Sequence, residues 1–72
     1  MTVEYAIKYV RAVYPNARFE HITVMCSPHY KIVVNELGKF FPTELGCAIE
    51  LDVAWMAAAI RIQNQMLRVL EG

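Results

Sequence analysis

Two cysteines and two histidines are the side chains of this sequence best suited to bind a metal or to act as a nucleophile and its base. Cys26 and His29 stand at C-x2-H spacing, and His21 and Cys47 are available to complete a set of four. A small zinc- or thiol-dependent protein is therefore one reading. Strand geometry argues against it. His21 and Cys26 are an odd number of residues apart in what reads as one strand, so they point to opposite faces unless a bulge intervenes. No second paired motif follows, and a single pair is nonspecific. The plainer reading makes Cys26 a small buried hydrophobe and His29 a turn residue. Catalysis by Cys47 needs His21 or His29 as its base and an oriented third group. The sequence does not supply that group, and so short a chain has few walls for a pocket. The expectation is a protein that is not an enzyme and holds no cofactor or metal.

A second cluster is aromatic and basic. Tyr5, Lys8, Tyr9 and Arg11 fall on one side of the first helical stretch, where rings can stack on bases and cations can hold phosphates. A nucleic-acid module built on that helix and the strands is the reading this supports. The competing reading is a half-buried helix flank with solvated cations. The charge count favours the latter, with seven basic and seven acidic residues and a net charge of zero. Nucleic-acid binders usually carry a basic excess. Zero net charge also favours association.

These residues are positioned by a simple order of elements. Thr2 is a natural N-cap with Glu4 in the first turn, and Val3, Ala6, Ile7, Val10, Val13 and Tyr14 recur at helical spacing. Pro15 ends this helix, which spans 3–14. Phe19 to Cys26 reads as a strand, Ser27-Pro28-His29 as a turn, and Tyr30 to Asn35 as a second strand. Both faces of these strands carry apolar groups, so the pattern leaves the inward face open. Glu36 to Lys39 is a second turn, and Lys39 to Phe41 begins a third strand limited by Pro42 and broken near Gly46. The segment 42–50 reads equally as strand, loop or early helix. Leu51 to Leu70 is rich in helix formers, with Gly72 closing the chain.

That last helix carries an apolar arc of about 200°, wider than the stripe of a little over 100° that packing on one surface requires. Trp55, Ala59, Ile62 and Met66 are expected to pack on the sheet. Met56, Ile60, Gln63 and Leu67 are expected to spill over the edge and form an interface. Composition points the same way: 57% of the 72 residues are hydrophobic, above the roughly 45–50% usual for globular chains. A chain this short buries only about 60% of its unfolded surface. Partnering is one way out, and a homodimer is the commonest closed form. The longest apolar run, Val53 to Ile60, is too short to cross a membrane. With two cysteines and no leader-like segment, a reducing cytoplasm is expected.

The order helix, strand, strand, short strand, helix resembles that of double-stranded-RNA-binding domains over most of the chain. Where those domains carry a lysine-rich motif at the start of the last helix, this chain reads Leu51-Asp52-Val53-Ala54-Trp55, acidic and apolar. Tyr14-Pro15-Asn16-Ala17, a hairpin, and then Trp55-Met56-Ala57-Ala58-Ala59 are similar to short proteins encoded by phages and prophages. That resemblance implies a protein that acts by binding, as a regulator or inhibitor of a host protein. The sequence thus predicts a single α+β domain over 1–72, two helices on one face of a short antiparallel sheet. Its predicted function is protein–protein interaction, with self-association through the second helix.

Overall fold

The structure, a computed structural model, describes residues 1–71, with side chains through Leu70; the chain-closing Gly72 lies outside them. The order is α1 (Val3–Val13), β1 (Arg18–Val24), β2 (Ser27–Val34), β3 (Thr43–Ala48) and α2 (Leu51–Glu71). The strands form one antiparallel sheet in the order β1-β2-β3. Both helices lie on one side of it, as expected, with α2 packed on β3 and β2 and α1 packed on α2.

Local chemistry explains the elements. The Tyr5 amide donates to the Thr2 hydroxyl at 3.2 Å, which caps α1. At the other end the Tyr14 amide donates to the Val10 carbonyl at 2.7 Å. Tyr14 is thus the cap and not the last helical residue, and Pro15 follows it. Ala6 and Val10 are fully buried.

The first hairpin differs from the reading of the sequence. The turn is Met25-Cys26, with φ of 49° and 67°, and not Ser27-Pro28-His29. Two-residue hairpins favour turns with positive φ because these match strand twist. Met and Cys accept that conformation at a cost of roughly 1–2 kcal/mol each. Pro28 is tolerated in β2 for a reason visible in the register. β3 reaches only as far as Ala48, opposite Tyr30, so Pro28 has β1 as its sole neighbour and no ladder bond to β3 is lost.

The register also settles which face is inward. Phe19 lies opposite Ile32 and His21 opposite Tyr30, and Ile32 and Val34 enter the core with Leu45, Trp55 and Ile62. Arg18, Glu20, Ile22, His29, Lys31 and Cys47 therefore share the outer face. The third strand begins at Thr43 and not at Lys39, and Gly46 lies within it. A Cβ on Gly46 would stand 2.7 Å from both the Ala54 carbonyl oxygen and the Ala58 nitrogen. Glycine here lets the backbone of α2 rest directly on β3. A bulge opposite Ile32 and Val33 turns Leu45 into the core beside it.

Candidate interaction surface

The geometry of α2 follows from its length. Its 21 residues span about 31 Å at 1.5 Å each, whereas the six residues of β3 span about 20 Å. Arg61 marks the point where the support ends: its Nη1 donates to the carbonyl of Glu44, near the start of β3, at 3.0 Å. Residues beyond Ile62 overhang the sheet. Ala54, Trp55, Ala58, Ala59 and Ile62 are buried, and none of residues 63–70 is.

Two apolar surfaces result. The first is the outer stripe. Ile60 and Leu67 are about half exposed, while Met56 and Gln63, in line with them, are half-buried. Met56 also touches the core, so it faces both ways. Val53 and Leu70 extend the stripe, and the spacing 53-56-60-63-67-70 alternates three and four residues, the pattern of a coiled-coil seam. The second surface is a groove of about 380 Å³ between the end of α1 and the overhang, lined mainly by Val13, Tyr14, Ile62, Met66, Val69 and Leu70.

Met66 corrects the expectation that it packs on the sheet with Trp55, Ala59 and Ile62. It is 43% exposed, and its sulfur accepts the Tyr9 hydroxyl at 3.4 Å. The reason is the overhang, since no strand extends beneath it.

One exposed group was not visible from sequence. In the β2–β3 loop, Leu37 and Phe40 are fully exposed and Phe41 is 83% exposed. The loop is braced from behind. Lys39 Nζ meets the Glu36 carboxylate at 2.6 Å, and the Thr43 hydroxyl donates to the same carboxylate at 2.9 Å. These bonds hold the Glu36 carboxyl below its ordinary pKa and the Lys39 ammonium above its own. Gly38 takes φ of 84° in this turn, a conformation that costs glycine little. The signal available in sequence was Pro42, which keeps the two phenylalanines out of the strand that follows.

The remaining candidates are dispersed. His21 packs its ring 4.9 Å from that of Tyr30 on the helix side, and His29 turns Nδ1 to the Ser27 carbonyl at 3.1 Å on the outer face. Cys26 is in the hairpin turn, and Cys47 is exposed beside Lys31; both thiols are free. Among the described residues no three His, Cys, Asp or Glu side chains come together as a metal site. Tyr5 and Tyr9 do stack, at 6.2 Å, and Lys8 is exposed. The Arg11 guanidinium sits 5.3 Å over the Trp55 ring, engaged within the fold. No described helix is long and apolar enough to cross a membrane. No family model matches the chain, and neither a curated protein nor a solved structure matches it.

Proposed function

We propose that this chain is a small protein-binding module that acts without catalysis or cofactor, and that it pairs with a second copy of itself through the outer stripe of α2. The observation that carries this reading is the exposure of Ile60 and Leu67 in a stripe with coiled-coil spacing. Magnitudes show which residues are needed. Burying the exposed halves of Ile60 and Leu67 on two chains contributes roughly 3–6 kcal/mol. Association costs on the order of 4–15 kcal/mol. Those two side chains alone do not suffice. Val53 and Leu70, 43% and 83% exposed, roughly double the gain and make the full stripe the working unit.

The finer reading follows the resemblance to short phage-encoded proteins: a cytoplasmic homodimer that regulates or inhibits a host protein. The nucleic-acid alternative is less supported, because Arg11 is engaged with Trp55 and net charge is zero. Particle mass in solution, by size-exclusion chromatography with light scattering, tests the central claim. The wild-type particle is expected to exceed the 8.3 kDa of one chain, and Ile60→Glu is expected to halve its mass. A wild-type monomer, or a mass unchanged by Ile60→Glu, overturns it.

A further inference from the structure

The β2–β3 loop and the groove under α2 are complementary shapes on one chain. The loop presents Phe40 and Phe41 to solvent, and the groove presents Val13, Tyr14, Met66, Val69 and Leu70 around about 380 Å³ of empty space. Exposed apolar surface of this kind is uncommon on monomers and marks interaction sites. We propose that Phe40 and Phe41 of each chain insert into the groove of a second copy, and receive that copy's phenylalanines in return.

Placement supports a reciprocal exchange. Arg18 pairs with Val33, so α1 exits at the end of the sheet where β2 ends. β3 starts at that same end, since Thr43 pairs with Val34. The overhang of α2 passes Glu44 toward it as well. A knob and a socket at opposite ends would link chains into open fibres. At one end, a twofold axis can satisfy both at once and close the assembly.

Insertion into the chain's own groove is disfavoured by the brace. Glu36 holds Lys39 and Thr43 on either side of the two phenylalanines, with Lys39 also donating its amide to the Glu36 carbonyl at 3.2 Å. Folding the rings back would break these bonds. The area is that of a modest contact. A buried aromatic residue covers about 150–250 Å². With the small lining that each groove exposes, two phenylalanines from each chain bury on the order of 800–1,200 Å², the low end of interface sizes.

The inference shares with the proposed function the claim that this chain binds copies of itself, but it uses a different side of α2. The stripe runs through Ile60 and Leu67, and the groove through Met66 and Val69. The two contacts share Leu70 at the end of the helix but are separable at Ile60 and Leu67 on one side and Met66 and Val69 on the other, and a closed particle with both holds four chains. The test is particle mass for four proteins: wild type, Ile60→Glu, Phe40→Ser with Phe41→Ser, and Val69→Glu. The substituted positions are exposed, so folding is expected to persist, with circular dichroism as the check. The inference predicts a twofold fall in mass for the double phenylalanine variant and for Val69→Glu alike. If both keep the wild-type mass while Ile60→Glu lowers it, the exchange is wrong and the stripe stands. If both lower it while Ile60→Glu does not, the stripe is wrong and the exchange stands. A wild-type monomer overturns both.

Discussion

The two halves of α2 both carry apolar residues at helical spacing, and they are opposite in situation. The first half, through Ile62, buries five side chains against β3, β2 and α1. The second half carries Met66, Leu67, Val69 and Leu70 and buries none of them. Helical periodicity is the same in both. What differs is whether anything lies underneath, and that is set by the lengths of β3 and α2. Apolar character on a helix thus marks surface that is able to be buried, and the neighbouring elements decide whether it is.

The sharpest way to break this comparison is a pair of truncations. Ile62→Ala removes a side chain that is 2% exposed, with an expected loss of about 2–5 kcal/mol in urea unfolding. A domain of this size holds only roughly 3–5 kcal/mol, so this variant is expected to sit near its unfolding midpoint without denaturant. Val69→Ala, seven residues on and 80% exposed, is expected to change stability by no more than about 0.5 kcal/mol in dilute solution. Comparable losses at the two sites would mean that the halves do not differ, and the overhang would have to be reinterpreted as core.

Gly46→Ala tests the supported half from below. The added methyl would collide with the backbone of Ala54 and Ala58, which cannot rotate aside as a side chain can. The expected loss is about 1–3 kcal/mol by the same unfolding measurement. Gly38→Ala is the control at the other end of the molecule, with nothing within 4 Å to strike and only its φ of 84° at stake. If Gly46→Ala proves the more benign of the two, close packing of α2 on β3 is not what holds the first half in place.

How much of this was legible follows the same division. The helices were readable because Thr2, Pro15 and the spacing of Val3, Ala6 and Val10 are local signals. The buried set Trp55, Ala59 and Ile62 was readable from the wheel. Met66 was not, because the wheel contains no information on where the sheet ends. The hairpin turn misled because Pro28 is a strong turn residue, and the fact that it lies beyond β3 is a tertiary one. Gly46 read as a break for the same reason: its role exists only once Ala54 and Ala58 are opposite it. Phe40 and Phe41 read as strand because both favour strands, and their exposure shows only in the folded chain, in the loop that Glu36 braces ahead of Pro42.

That brace gives the smallest expected effect and the most local one. The Glu36 carboxyl, held by Lys39 and then by Thr43, has its pKa lowered in the folded chain. A lowered carboxylate pKa contributes stability above the unfolded value, near pH 4.3, and the contribution is lost as pH falls through the folded value. Lys39, raised by the same partner, contributes below its unfolded value near pH 10.4 and loses that contribution as pH rises through its folded value. The brace is therefore complete between those limits and fails at either side. Hydrogen exchange, corrected for its intrinsic pH dependence, can follow the Lys39 amide, which donates to the Glu36 carbonyl. Its protection is expected to fall on acidification below pH 4, while amides of α2 near Ala58 keep theirs. Glu36→Gln should produce the same local loss at neutral pH, because the amide replaces a charged acceptor with a neutral one. Equal loss at Ala58 in that variant would show that the loop and the supported half of α2 open together. The molecule would then be one cooperative unit, and not a firm end carrying an independently adjustable one.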